Sequence, residues 1–369
     1  MTVFLGAGAI SIDVTVARAV VSSVTVKASR PQGVTHMFIG QQPDWVPALA
    51  GQVFTLCGFA QSIASRLAVL NAADLSMDVD EQAGASAGVL AERIFESLRA
   101  LVLQWPSPLP ILLAAAAGKH LRDALAASRA IIAEARGGRI DRTNLAAAAA
   151  RLLAAASGLG VPQDGSTPLP GTVCEAIMRD AAADQMFTGR PADPLTAGDD
   201  AEVMARLCDE PDYAAQPYLF NRVAETGAYA RLAAEPSGAA SHLVHRLLVR
   251  IGDIRSCLWQ LITLARTGEY DWASLASGGP AARGGYGAVE CARGRLYHQA
   301  EIGADGRLTA YRILAPTEWN FHPAGPFVDT LVSSRIGLGE AAVRSVSRLV
   351  ALFDPCLAYK IDVREDAHA

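Results

Sequence analysis

A chain of 369 residues that is 51% hydrophobic and 19% charged has enough apolar material for a sizeable core, as one large domain or two average ones. Its net charge of -5 comes from interspersed acids and bases, which excludes the broad basic field that nucleic-acid binding needs. The apolar runs 110–117 and 243–264 are too short, or too charged through Arg246, Arg250, Asp253 and Arg255, to span a membrane, and the N-terminus lacks the basic start of a signal peptide, so the expected compartment is the cytoplasm.

Over the first forty residues apolar and polar side chains alternate through Ile10, Ile12, Val14, Val16, Val24 and Val26, with a third apolar run at Met37, Phe38 and Ile39. Two or three strands of a small antiparallel sheet are predicted, ended by Gly40 to Pro43. From Pro47 the spacing becomes helical, and Phe59, Ile63, Leu67 and Leu70 share one face. Cys57 then falls at a helix N-terminus, where aligned backbone N–H groups are expected to favour the thiolate.

From 86 to about 264 the chain is rich in Ala and Leu, with breaks near 106–110, 137–138, 158–171, 189–198 and 236–238, which predicts a helical bundle. His242 and His245 lie on one helix face, but no acid or cysteine accompanies them at ligand spacing, and they are read as structural. The glycine-rich stretch 278–287 lacks the Gly-Lys-Ser/Thr ending of a phosphate loop. Alternating runs at 296–302 and 308–314, joined through Asp305-Gly306, predict a β-hairpin. A final helix over 339–353 delivers the chain to Asp354-Pro355-Cys356. The six cysteines form no CxxC pair and no framework spacing, and Cys174, Cys208 and Cys257 are read as buried fillers. Cys57 and Cys356 are expected to meet in space.

Several of these segments, taken together and in this order, resemble the large subunit of [NiFe]-hydrogenases. The run from Gly287 through Glu290, Arg293, Gly294 and Leu296 to His298, then Asp305-Gly306, then Pro316-Thr317-Glu318-Trp319-Asn320, follows that family's G-x-x-E-A-P-R-G-x-L-x-H, D-G and P-S/T-x-W-N. Asp354-Pro355-Cys356 matches its D-P-C-x-x-C, Cys57-Gly58 its C-G-x-C, and Gly40, Pro43 and Asp44 its G-R-x-P-x-D. In that family four thiolates hold nickel and an Fe(CN)2(CO) unit. Here the second member of each cysteine pair is Ala60 and Tyr359, the His after the first motif is Ala64, and the His before the family's cleavage site is Asp362. A nickel-iron pair cannot be assembled without the bridging thiolates.

With these departures the chain looks like the large-subunit-like hydrogenase expression/formation proteins. The resemblance implies an α+β, predominantly α-helical fold over 1–369 as a single domain: a small β region at 1–45, a helical bundle at 46–275, and a hairpin, loop and cysteine segment at 276–369, with small antiparallel β elements at both ends. It implies a non-enzymatic maturation scaffold that carries the Fe(CN)2(CO) unit on Cys57 and Cys356, without nickel, with Arg293 and Thr317 as donors to the cyanides. Ala292 replaces the Pro that stiffens the Arg loop, and Cys291 is a candidate third ligand. Partners would be maturation accessory proteins and the hydrogenase large subunit. The alternative is a metal-free chaperone or adaptor for the same partners. For single residues the plain readings are a buried Cys356, a turn-capping Thr317 and an Arg293 paired with Glu290.

Overall fold

The computed structural model describes residues 8–30, 33–138, 140–165, 167–183, 187, 191–232 and 242–366. It opens with β1 (Ala9–Ala17) and β2 (Val20–Ser29), antiparallel across a two-residue turn in which Arg18 and Ala19 both take positive φ, as the tight right-twisted hairpin requires. Ile10, Ile12, Val14 and Val16 all point into the core, the outcome their alternation predicts.

The third apolar run is not a strand. Val34–Phe38 forms a 3-10 turn that buries Phe38 against the Tyr311 ring at 4.5 Å and leaves Met37 and Ile39 exposed. The strand that completes this sheet comes from the other end of the chain and runs parallel to β1, giving the order β2-β1-β7, with Ile10 opposite Tyr359. The N-terminal antiparallel pair thus becomes a mixed three-stranded sheet by taking β7 from the C-terminal end.

Helices α1 (Val46–Val53) and α2 (Gly58–Ala72) follow, then α3 (Val79–Gln104), α4 (Ile111–Arg136), α5 (Arg142–Leu159) and α6 (Val173–Ala182). Asp78 and Glu81 form a capping box at the start of α3, and Asp141 caps α5. Beyond α7 (Asp200–Asp209) and α8 (Ala228–Leu232) comes α9 (His242–Thr267); the predicted break at 236–238 lies outside the described residues. One hydrophobic cluster runs from Ile10 and Val14 through Leu90, Ile131, Leu152 and Leu258 to Phe353.

The second sheet is antiparallel: β3 (Ala276–Pro280), β4 (Gly285–Cys291), β5 (Gly294–Ile302) and β6 (Leu308–Leu314) in that order. The predicted hairpin is its β5–β6 pair. The glycine-rich stretch forms β3, β4 and the turn between them, not a phosphate loop. A Cβ on Gly287 would overlap the backbone of α2 at Ala64, so glycine lets β4 lie against that helix. Short helices α10 (Pro316–Asn320) and α11 (Pro326–Leu331) lead to α12 (Gly339–Phe353) and β7 (Ala358–Glu365).

Gly88 of α3 faces α2 in the same way, and a Cβ there would enter the Phe59 ring. By helix propensity alone Gly88→Ala should gain about 1 kcal/mol. Overpacking against a buried ring reverses the sign, and the variant is expected to lose about 1–3 kcal/mol in urea unfolding.

Candidate functional site

The hairpin turn between β4 and β5, the start of α2, the middle of α3, α10 and the α12–β7 connection converge. They bring Cys57, Cys291, Arg293, Thr317 and Cys356 together: Arg293 is felt electrostatically at Cys57 and Cys291, and Cys57 responds to both other thiols.

Cys356 follows Asp354, whose left-handed backbone (φ 49°) ends α12 and turns the chain toward β7. The Thr317 hydroxyl lies 3.1 Å from the Cys356 sulfur and accepts the Cys356 backbone N–H at 3.3 Å. Arg30, at the end of β2, donates to the same sulfur at 3.4 Å and forms an ion pair with Glu318 through both Nε and Nη2.

Cys57 is the N-cap residue of α2, but the helix terminus does not serve its sulfur. Glu92 of α3 takes the Phe59 and Ala60 N–H groups, at 2.7 and 2.8 Å. Burial pushes the Cys57 thiol well above its ordinary value, and Cys291 beside it adds to the effect while Arg293 opposes it. The expected lowering of the Cys57 pKa is overturned, because desolvation and a carboxylate already seated on the helix N-terminus outweigh the dipole. Burial also pushes Glu92 up to about 7 and Cys291 up to about 11.

A chain of buried polar groups holds the Cys57 sulfur from the other side. Gln61 donates through Nε2 to Cys57 Sγ at 3.5 Å, which leaves its Oε1 facing His298 Nε2 at 2.6 Å. Burial holds His298 neutral, with its pKa down to about 3. His298 Nδ1 lies 2.6 Å from the Tyr311 hydroxyl, which itself donates to Ser65 Oγ at 2.7 Å.

Arg293 is almost fully buried, and it does not pair with Glu290, which instead binds Arg231 and Arg295. Its Nη2 donates to Glu96 at 3.2 Å and to Asp354 at 3.4 Å. Burial works against its charge, but Asp354, Cys57 and Glu96 outweigh that and keep it protonated. Among the described residues its Nε and Nη1 have no partner. A buried guanidinium with two unsatisfied nitrogens needs a reason. It borders a cavity of about 20 Å³, shared with Arg250 and Asn320.

The two missing thiolates have no substitute at their own positions. Ala60 is buried apolar, and Tyr359 stands at the start of β7. Among the described residues no group of three or more His, Cys, Asp or Glu side chains is arranged to hold a metal ion. Cys291, buried beside Cys57, belongs to no such group among the described residues. His242 is buried against Arg246, which donates to its Nε2 at 2.7 Å, and Cys174, Cys208 and Cys257 are buried.

Sequence reasoning missed Arg30, Gln61 and Glu92. Glu92 carried one signal, an acid beside the apolar residues of an amphipathic helix; Arg30 and Gln61 carried none.

Residues 248–361 match the Nickel-dependent hydrogenase family. The fold is shared with the Ni-Fe-Se hydrogenase from Desulfomicrobium baculatum, at a TM-score of 0.61 and 15% identity over 93% of this chain and 95% of that one. Along its whole length the chain is 31% identical to the hydrogenase expression/formation protein HupK of Bradyrhizobium diazoefficiens, covering 97% of this chain and 98% of that protein. With the protein of the same name from Rhizobium leguminosarum bv. viciae the identity is 66% over 100% of both chains. The chain belongs to the family of hydrogenase expression/formation proteins.

Proposed function

We propose that the protein is a non-enzymatic maturation factor that carries an Fe(CN)2(CO) unit on Cys57 and Cys356 and passes it to a hydrogenase large subunit, in the cytoplasm and with the help of maturation accessory proteins. Among the described residues no helix is long and apolar enough to cross a membrane. The observation that carries the reading is the pair of unsatisfied Arg293 nitrogens beside two thiols. Cyanide nitrogens are strong acceptors of the kind these donors lack, and the Thr317 hydroxyl offers a further contact on the Cys356 side.

Two thiolates suit a cargo that must leave again. Each S–Fe bond formed releases one thiol proton, and each is reversed when the thiol takes its proton back. The raised Cys57 pKa favours the protonated, unloaded form and so favours release.

Anaerobic purification from cells that express the maturation machinery, followed by infrared spectroscopy, tests this. Cyanide and CO stretches are expected in the wild type and absent from Cys57→Ala and Cys356→Ala. A wild type without these bands would leave the metal-free adaptor as the reading. Hydrogen-dependent dye reduction by the pure protein would contradict a non-enzymatic role.

A further inference from the structure

The iron-carrier reading does not use Arg30. This residue sits at the mouth of the site, with a third of its side chain exposed, and one guanidinium bridges two groups: the Cys356 sulfur and the carboxylate of Glu318. Glu318 itself is almost completely buried and has no other polar side chain against its carboxylate among the hydrogen bonds of the site. A soft sulfur and a hard carboxylate held by the same guanidinium form a two-donor bite suited to a divalent transition metal. The guanidinium fills that bite with a permanent positive charge.

We propose that Arg30 is the specificity-determining residue of the cysteine site, occupying the Cys356–Glu318 bite so that a bare divalent cation is rejected while a charge-neutral iron unit is accepted. The proposal rests on the carrier reading for its cargo, but not for its test. The argument is one of charge. An Fe(II) ion with two cyanides and one CO carries no net charge, so a neighbouring guanidinium does not repel it, and the thiolates that bind it add negative charge that Arg30 can face. A hydrated Ni(II) or Zn(II) ion brings two positive charges to the same place. It must also displace Arg30 to chelate through both donors. With Arg30 removed, Glu318 becomes a buried carboxylate with a vacant coordination face next to a thiol, an arrangement that attracts such an ion.

The full-length apoprotein, titrated anaerobically with Co(II), reads this out through sulfur-to-cobalt charge-transfer absorption. Arg30→Met is expected to bind Co(II) at least about tenfold more tightly than the wild type, since a like charge at contact distance is worth that much or more even with strong screening. Cys356→Ala in the Arg30→Met background should abolish the band. Arg30→Lys, which keeps the charge, should stay near the wild type, and Ni(II) should compete with Co(II) in the same order. Arg30→Gln, neutral and polar, serves the same purpose if the Met variant does not fold. Unchanged Co(II) affinity in a folded neutral variant, or a gain that survives loss of Cys356, would overturn the proposal. The carrier reading fails separately, through missing infrared bands in the wild type, and that result leaves the cobalt titration standing.

Discussion

Replacing Asp253 by Asn is expected to remove about 3–5 kcal/mol of stability, more than any single truncation of an apolar side chain at the periphery of the core. Asp253 lies on α9, almost completely buried, between two arginines from different helices. Arg93 of α3 donates to it through Nε and Nη2, and Arg231 of α8 donates through Nε and Nη2 at 3.2 and 3.0 Å. Arg231 continues to Glu290 at 2.9 Å, Glu290 to Arg295 at 3.0 Å, and Arg295 to Asp200. Asn keeps the shape but strands two buried cations, which is the expensive way to break such a pair.

The pH dependence gives this prediction a sign. Burial alone would raise the Asp253 pKa from its ordinary 3.8, but Arg231 and Arg93 outweigh it and hold the carboxyl well below that value. The unfolded chain therefore takes up the proton first on acidification. The stability this group supplies is fully present above 3.8 and is lost as pH falls from there toward the folded value. Urea unfolding of wild type and Asp253→Asn should differ most at neutral pH, with the gap closing in acid.

That network also marks where sequence reading stops. Arg246, Arg250 and Asp253 were enough to exclude a membrane span, yet on α9 they point inward: Arg246 pairs with Glu225, and Arg250 donates to the carbonyls of Ala351 and Leu352 at the end of α12. Local periodicity carries no information about which distant charge a buried charge will meet. The β5–β6 hairpin and α12 were legible because alternation and helical spacing are local. The parallel pairing of β1 with β7 was not, since nothing within 9–16 or 358–365 specifies the other. At the site, motif order was enough to bring Cys57, Arg293, Thr317 and Cys356 together, but the state of Cys57 depends on Glu92, supplied by a neighbouring helix.

Arg293 is where stability and cargo can be separated. Arg293→Met should destabilise the apoprotein by about 3 kcal/mol, the lower end for a broken buried pair. Glu96 keeps Arg99 at 2.9 Å, whereas Asp354 loses the only side-chain donor it has among the described residues. Removing Arg293 also removes two nitrogens that are buried without partners, which offsets part of the loss. Arg293→Lys keeps a cation for Asp354 and Glu96 and should unfold within about 1–2 kcal/mol of the wild type, but an ammonium cannot place a second and third donor in the guanidinium plane. If those nitrogens serve the cyanides, the Lys variant will be folded and yet purify with weakened or shifted cyanide stretches, the CO band moving less. Should Arg293→Lys carry the wild-type spectrum at wild-type occupancy, Arg293 holds only the Asp354 turn, and the two idle nitrogens lose their explanation as cargo donors.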